Sequence, residues 1–155
     1  MYTGMTNSNL LSRCGIYCGG CYVYLAYKEG GGFLDSISEK LMIPKDEIRC
    51  EGCTGPAESL WRNCRECRLL PCLEERGYEF CFECPEFEEA SCDKYEGLSR
   101  FCLERGEDIR ASMRRIGNGG ADAWLREQDR KWRCSQCGEP ISWYEETCHH
   151  CGEPI

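Results

Sequence analysis

Cysteine content constrains this chain more than any other feature of its sequence. Sixteen of the 155 residues are cysteine, which is more than a tenth of the chain. Such a density indicates disulfides or metal sites that hold together segments too short to bury a core of their own. The redox state of the compartment in which the protein folds decides between these two uses.

The sequence predicts a cytoplasmic protein without a membrane segment. The first residues, up to Cys14, lack a charged segment followed by an apolar run of signal-peptide length. No later stretch approaches the roughly 20 apolar residues that a membrane-spanning helix requires. Cytoplasmic thiols are kept reduced, so cysteines in Cys-x-x-Cys pairs indicate metal ligands rather than a disulfide framework.

A repeated motif at the C-terminus gives the strongest signal for a metal site. The pattern Cys-x-x-Cys-Gly-Glu-Pro-Ile occurs at 134–141 and again at 148–155. Gly138 and Gly152 supply the backbone conformation that each turn needs. Two facing knuckles would close a tetrahedral four-sulfur site, which suits Zn²⁺ and leaves no open coordination position, so we predict a structural zinc ribbon at 132–155. Its predicted ligands are Cys134, Cys137, Cys148 and Cys151.

The two histidines, His149 and His150, lie between the cysteines of the second knuckle. Side chains at these positions normally point out of a knuckle and four sulfurs already complete the site, so we predict that neither histidine is a ligand. Because the chain has only 2 histidines, no serine, cysteine or carboxylate elsewhere in it has a histidine base. The sequence thus disfavours ordinary hydrolase and transferase activities and favours a non-catalytic role.

Two further cysteine groups have spacings that predict four-cysteine zinc sites. One group repeats the ribbon spacing and consists of Cys50, Cys53, Cys64 and Cys67. The other has a single cysteine on either side of one Cys-x-x-Cys pair and consists of Cys72, Cys81, Cys84 and Cys92. The spacing also leaves open a cross-braced pairing, in which Cys50 and Cys53 join Cys81 and Cys84.

The remaining group, with the spacing Cys-x-x-x-Cys-x-x-Cys, consists of Cys14, Cys18 and Cys21. Radical S-adenosylmethionine enzymes share this spacing, but a chain of this length without βα repeats cannot build most of the barrel that they need. A [4Fe-4S] cluster without radical chemistry is the alternative to Zn²⁺, because cysteine-only ligation serves both metals. Cys102 is a candidate fourth ligand, although its position on an apolar helix face favours burial as a small hydrophobe. Without Cys102, the group would borrow Cys72 or Cys92, or would keep an open position.

Helical periodicity predicts four helices. The first two span Tyr22–Lys28 and Leu34 to about Met42. A third spans Leu98 to Ile116 and stops at the glycine-rich run 117–120, because glycine and asparagine tolerate the positive φ of a helix C-terminus. A fourth, from Ala121 to about Lys131, would form an αα-hairpin with the third.

We therefore expect a small metal-stabilised α+β fold in three parts. A cysteine-rich multi-metal domain at 10–95 would combine irregular zinc knuckles with short helices. The αα-hairpin would occupy 96–131, and the zinc ribbon would occupy 132–155. Such a chain would hold about four Zn²⁺ ions, with a [4Fe-4S] cluster at the first cysteine group as the alternative for one of them.

The order of the cysteines from Cys14 to Cys92 resembles that of a prokaryotic cysteine-rich family, a domain of unknown function (DUF 3795). The residues that carry the likeness include Gly-Ile-Tyr before Cys18 and Glu-Gly before Cys53. The likeness extends through Ile109-Arg110, Arg115-Ile116, Trp124-Leu125, Gln128 and Trp132-Arg133-Cys134, so it covers nearly the whole chain. The resemblance implies metal binding and no known reaction, substrate or partner, and Cys102 matches no family cysteine.

The charge distribution favours a protein partner. A formal net charge of −8 repels nucleic acid overall. A basic stretch at 110–133 keeps a nucleic-acid partner open, since local basic patches bind phosphate even on an acidic protein, although a solvated helix face is the simpler explanation. The leading hypothesis is a non-catalytic scaffold with several zinc sites, and the alternative is an iron–sulfur or redox protein.

Overall fold

The computed structural model describes residues 7–65, 67–89 and 91–155. Residues 1–6, on which part of the expectation about a leader segment rests, lie outside the described residues. The described part is mostly helical, with eight α-helices and with β pairing limited to three isolated antiparallel bridges. The predicted α+β class is therefore not confirmed, because the knuckles pair through single bridges. None of the described helices, the longest of which have 11 residues, is long and apolar enough to cross a membrane.

Two consecutive helices pack together near the N-terminus. Helix α1 spans Tyr22–Glu29 and helix α2 spans Gly31–Leu41, with Gly30 at a φ of 66° between them. The helices predicted at Tyr22–Lys28 and Leu34–Met42 are thus confirmed, although α2 begins three residues earlier because its first glycines are helical. The two helices share a core with the following loop, formed by Val23, Ala26, Ile37, Ile48, Cys50 and Trp61.

The cysteine-rich segment that follows contains short helices rather than the long periodic ones. Helix α3 spans Arg62–Arg65, α4 spans Leu69–Arg76 and α5 spans Pro85–Glu88. Helix α4 ends at Gly77, whose φ of 72° is the left-handed conformation typical of a helix C-terminus. Proline at the first position of α5 suits a site where no backbone N–H is needed. These lengths agree with the absence of long periodic runs in this part of the sequence.

The single helix predicted from Leu98 to Ile116 is wrong, because the structure divides it into two. Helix α6 spans Asp93–Leu103 and helix α7 spans Ile109–Arg115. Gly106, at a φ of 82°, lies in the turn between them. The Asp108 side chain then caps α7 by accepting a hydrogen bond of 3.0 Å from the Ala111 backbone N–H. The predicted hairpin therefore contains three helices.

The last helix has the predicted bounds. Residues Ile116–Gly120 form a kinked turn in which Gly119 adopts a φ of 86°, as the glycine-rich run predicted. Helix α8 spans Ala121–Lys131. It buries Trp124 and Leu125, which are 2% and 5% exposed. Two residues separate the end of α8 from Cys134, so the packing of this helix positions the start of the ribbon.

The largest core cluster draws side chains from all three predicted segments of the chain. Tyr17 comes from the cysteine-rich segment, Met113 and Trp124 come from the helical segment, and Trp143 comes from the C-terminal segment. Burial of each such side chain stabilises the fold by about 1.5–3 kcal/mol. The division at 10–95, 96–131 and 132–155 stays a prediction, but one continuous core holds the three parts against each other.

Candidate metal centre

The sequence repeat at the C-terminus is also a repeat in three dimensions. In the first knuckle, Cys134 and Glu139 are joined by a backbone hydrogen bond of 2.9 Å, and an antiparallel bridge pairs the flanking residues. In the second knuckle, Cys148 and Glu153 form the same hydrogen bond at 2.7 Å. The glycine after each knuckle has a positive φ, of 75° and 79°. Each turn thus folds by the same local rules, and the two face each other.

Backbone N–H groups in this ribbon point at the sulfurs. The N–H groups of Gln136 and His150 each lie 3.4 Å from the sulfur of the cysteine two residues earlier. The N–H groups of Glu139 and Glu153 donate to the other two sulfurs in the same way. Hydrogen bonds from Cys137 and Gln136 lower the pKa of Cys134 to about 6. Burial and the neighbouring sulfurs raise the pKa of Cys137 and Cys151, so the knuckle geometry favours the thiolate, the metal-binding form of cysteine, at Cys134.

The four sulfurs of the ribbon converge on one point. They all lie within 4.8 Å of one another. The sulfurs of Cys134 and Cys151 are 3.5 Å apart, and those of Cys137 and Cys148 are 3.7 Å apart. The first sulfur of each knuckle is buried, whereas the second is exposed at the surface. This cluster of four cysteines could hold a metal ion.

The two histidines of the second knuckle turn away from these sulfurs. The Nε2 atoms of His149 and His150 lie 2.8 and 3.2 Å from the two carboxylate oxygens of Glu29. Glu29 was not singled out by the sequence, because nothing in the chain signals that a helix end 120 residues earlier faces this knuckle.

The first two cysteine groups interleave instead of forming separate clusters. The backbone N–H of Cys53 donates a hydrogen bond to the sulfur of Cys18. Burial, together with the nearby sulfurs of Cys53 and Cys67, raises the pKa of Cys14 to about 12. Cysteines of the predicted Cys14 group thus lie beside cysteines of the predicted Cys50 group.

The other cysteines of these two groups belong to the same neighbourhood of sulfurs. Burial raises the pKa of Cys21, and the neighbouring sulfur that raises it is that of Cys50. Burial also raises the pKa of Cys64, and the neighbouring sulfurs of Cys21, Cys50, Cys53 and Cys67 contribute to that rise. The seven cysteines of the two groups therefore lie near one another and form one seven-cysteine assembly.

Residues just before and after Cys14 tie this assembly to the rest of the fold. The Tyr95 hydroxyl donates to the Cys14 carbonyl at 2.7 Å, and the Cys81 N–H donates to the Arg13 carbonyl at 2.9 Å. Gly15 has a φ of 99°, and a Cβ there would lie 2.5 Å from the carbonyl oxygen of Ile109. Only glycine therefore fits this close approach of the knuckle to α7. Arg13 also favours the thiolate of Cys53, through a backbone hydrogen bond and its charge.

The predicted third group lines one cavity of about 30 Å³. Leu69, Leu73, Phe87 and Tyr95 supply its apolar walls. Arg76 reaches its edge, where one guanidinium nitrogen lies 3.4 Å from the sulfur of Cys84. The cysteines that line the cavity are Cys72, Cys81, Cys84 and Cys92. A shared cavity is consistent with the four-cysteine site that the spacing predicted, and a bound ion there stays a prediction.

The described residues include all sixteen cysteines, and all of them are free. Within the described ranges, two groups of three or more possible ligands bring all their ligand atoms within 4.8 Å, the ribbon sulfurs and the Glu29–histidine group. The sulfurs of the first 95 residues lie near one another but do not converge as closely. Cys102 is fully buried in the main core, where burial raises its pKa to about 11.

The basic stretch at 110–133 is largely occupied by ion pairs. Arg115 contacts Glu127 at 2.5 Å and Lys131 contacts Glu107 at 2.5 Å. Arg110, Arg114 and Arg133 pair with Glu96, Glu88 and Asp129. The stretch thus presents less free positive charge than its composition suggested.

The family described as Protein of unknown function (DUF3795) matches residues 10–97. No curated protein and no solved structure matches the chain. The matched range covers more than half of the 155 residues and contains the eleven cysteines from Cys14 to Cys92. It ends before α7, α8 and the ribbon, so the likeness predicted from Ile109 onward stays a prediction. The chain therefore belongs to the family Protein of unknown function (DUF3795).

Proposed function

We propose that this protein is a non-catalytic, zinc-binding scaffold whose folded surface binds another protein. The observation that carries the proposal is the convergence of four ribbon sulfurs from two duplicated knuckles. A tetrahedral zinc site with Zn–S bonds of about 2.3 Å requires sulfur–sulfur distances of about 3.8 Å. The separations of 3.5 and 3.7 Å between sulfurs of opposite knuckles are close to that value.

A zinc ion held by these four sulfurs has a structural role. Four thiolates fill the tetrahedral coordination of Zn²⁺, so no position is left for water or substrate. The ribbon has a core cluster of only Cys134, Ile141 and Cys148, with Trp132 packed against it. Metal binding therefore supplies most of the folding free energy of this segment, typically about 10–16 kcal/mol for small zinc modules.

The same reasoning extends to the N-terminal cysteines. Burial raises the pKa of Cys14, Cys18 and Cys21, so their thiolates are unfavourable without a compensating charge. A bound cation supplies that charge, because a coordinating thiol is deprotonated outright. We assign one ion to the four-cysteine cavity at Cys72–Cys92 and two ions to the seven-cysteine assembly. Together with the ribbon, the chain then holds about four ions.

An iron–sulfur cluster in the seven-cysteine assembly is the second candidate function. Two closed four-sulfur zinc sites need eight cysteines, and the assembly has seven. One of its sites is therefore left with three protein sulfurs, a set that also suits a [4Fe-4S] cluster with one open iron. The candidate ligands of such a cluster are Cys14, Cys18 and Cys21, which have the spacing Cys-x-x-x-Cys-x-x-Cys.

A protein partner in the cytoplasm fits these features better than nucleic acid does. Sixteen free cysteines suit a reducing compartment. The acidic chain repels phosphate, and most basic residues of the 110–133 stretch already contact carboxylates. Trp124 is buried in the core and does not offer its ring for base stacking.

Elemental analysis and an absorption spectrum of protein purified without oxygen test the proposal. About four zinc ions per chain and no visible absorption are expected. Iron with inorganic sulfide and a brown colour would replace the scaffold with the iron–sulfur alternative. A chain without metal that folds fully would contradict both.

A further inference from the structure

Two histidines and a glutamate from distant parts of the chain meet beside the ribbon. Glu29 is the last residue of α1, whereas His149 and His150 belong to the second knuckle. The two Nε2 atoms lie 2.8 and 3.2 Å from different oxygens of the Glu29 carboxylate. One ligand atom from each residue lies within 4.8 Å of the other two. The three side chains thus surround a single point.

Packing fixes the orientation of the first imidazole. The ring of His149 stacks on Phe33, with centroids 3.7 Å apart and planes 12° from parallel. Its side chain is 11% exposed. Its Nδ1 is buried and has no hydrogen-bond partner among the described residues. Nε2 is therefore the nitrogen through which this ring meets polar groups, and that atom faces Glu29.

The ribbon fixes the second imidazole. The backbone N–H of His150 donates to the sulfur of Cys148 at 3.4 Å, which ties the position of the residue to the knuckle. The two imidazole rings lie against each other with centroids 4.1 Å apart. Both rings are thus held by contacts other than those with Glu29. An ion that inserts between the carboxylate and the two Nε2 atoms would therefore meet imidazoles that are already in position.

The carboxylate of Glu29 is not neutralised by the lysine next to it. Lys28 instead pairs with Glu51, at 2.5 Å. The side chain of Glu29 is 25% exposed and that of His150 is 30% exposed, so water reaches the group. A cation arriving from solvent would meet one negative charge and two imidazole nitrogens.

We propose that Glu29, His149 and His150 form an open binding site for a divalent transition-metal ion such as Zn²⁺, Co²⁺ or Ni²⁺. Two imidazoles and a carboxylate are a donor set for borderline ions of this class. Three protein ligands leave at least one coordination position for water, unlike the four sulfurs of the ribbon. This site exchanges its ion with solvent, whereas the ribbon site does not.

The open site links two parts of the fold. Helix α1 begins directly after Cys21, in the seven-cysteine assembly, and ends at Glu29. An ion bound by Glu29 and the histidines would join that helix to the ribbon. The inference rests on the proposed function to this extent, because the ribbon metal orders the backbone that carries His149 and His150.

Cobalt titration of the zinc-loaded full chain tests this site. A weak competing chelator first removes loosely held metal, and Co²⁺ is then added. The wild-type chain is expected to bind one further equivalent, with weak visible bands and no sulfur-to-cobalt charge transfer. Glu29→Gln and the double variant His149→Gln/His150→Gln are each expected to weaken this binding by at least about tenfold. Glu146→Gln, an exposed acid in the same ribbon, is the matched control and should bind as the wild type does.

The outcomes separate this inference from the proposed function. The open site is refuted if a chain that retains its tightly held zinc binds no further cobalt, or if Glu29→Gln binds it as the wild type does. A wild-type chain without tightly held zinc would instead contradict the scaffold. In that case the difference between Glu29→Gln and Glu146→Gln would still decide whether the open site exists.

Discussion

The ribbon and the N-terminal assembly use the same residue in two different ways. In the ribbon, two copies of one knuckle bring four sulfurs within 4.8 Å. In the assembly, seven cysteines from three loops lie near one another, and the Cys53 N–H donates to the sulfur of Cys18 across a separation of 35 residues. A metal site made of local turns is built by short-range rules, whereas a site made of distant loops depends on the whole fold.

The ribbon and the seven-cysteine assembly also differ in what stabilises them. The ribbon has a small core cluster of its own, so under the proposed function its order depends on a bound metal. The assembly contacts a large core through Tyr95, Cys81 and Gly15. Loss of an ion should therefore unfold the ribbon locally, while loss of an ion from the assembly should strain a fold that other contacts also hold.

Removal of one ribbon sulfur should have the largest effect. Cys148→Ser replaces a ligand that is 2% exposed. We expect the loss of one metal ion per chain and of most of the roughly 10–16 kcal/mol that metal supplies to the folding of the segment. Metal analysis and amide hydrogen exchange of residues 133–155 measure the two effects. Unchanged protection from exchange in this segment would show that the ribbon folds without its metal.

Cys102→Ala is the matched control for that variant. Cys102 is 0% exposed but belongs to the apolar core. Its truncation should leave the metal content unchanged and should lower the free energy of unfolding by about 1 kcal/mol. A lost metal ion in this variant would make Cys102 a ligand after all.

A double-variant comparison tests the interleaving directly. If Cys18 and Cys53 hold the same ion, Cys18→Ser and Cys53→Ser should each remove one ion, and the double variant should also remove one. If the groups are separate, as chain spacing predicted, the double variant should remove two. Metal content of protein purified without oxygen gives the count. The control is Cys18→Ser/Cys92→Ser, which changes one cysteine of the seven-cysteine assembly and one of the four-cysteine cavity. This double variant should remove two ions.

The C-terminal cluster of four cysteines could be predicted because the information for it is local. The repeat fixed the grouping of the four cysteines, and the structure brings their sulfurs together. Helix α8 was also predicted within its bounds, since a glycine-rich run precedes it. The break between α6 and α7 was missed although Gly106 and Asp108 signal it, because apolar periodicity continued across the turn.

The interleaved cysteines could not be predicted in the same way. Spacing reports separation along the chain, but the ligand sets depend on which loops meet. Gly52, at a φ of 100°, brings its loop against the backbone of Asn9, and this contact aligns Cys53 with the Cys14–Cys18 turn. The proximity of Glu29 to His149 depends on a separation of 120 residues, which no local pattern encodes.

The contact between the Cys18–Cys21 turn and the C-terminal ribbon should also contribute strongly to stability. Trp143 is 7% exposed and donates its backbone N–H to the Gly20 carbonyl at 3.2 Å. Trp143→Ala should lower the free energy of unfolding by about 3–5 kcal/mol. Trp143→Phe, which keeps an aromatic ring there, should cost less than about 1.5 kcal/mol. Denaturant unfolding of the metal-loaded chain measures both, and equal losses would show that the ring does not pack as described.

The smallest predicted effects come from two glycines that differ in the space around them. A Cβ at Gly20 would lie 2.8 Å from the Trp143 ring. Gly20→Ala should therefore lower the free energy of unfolding by about 1–3 kcal/mol, because it pushes the Cys18–Cys21 turn away from the ribbon. A Cβ at Gly32, within α2, would meet nothing within 4 Å. Gly32→Ala should therefore raise the free energy of unfolding by about 0.4–1 kcal/mol, because alanine reduces the entropy of the unfolded chain. The two variants should change the free energy of unfolding in opposite directions in the same denaturant experiment. If both variants were more stable than the wild type, the Cys18–Cys21 turn and the ribbon would be less tightly packed than the contact at Gly20 requires.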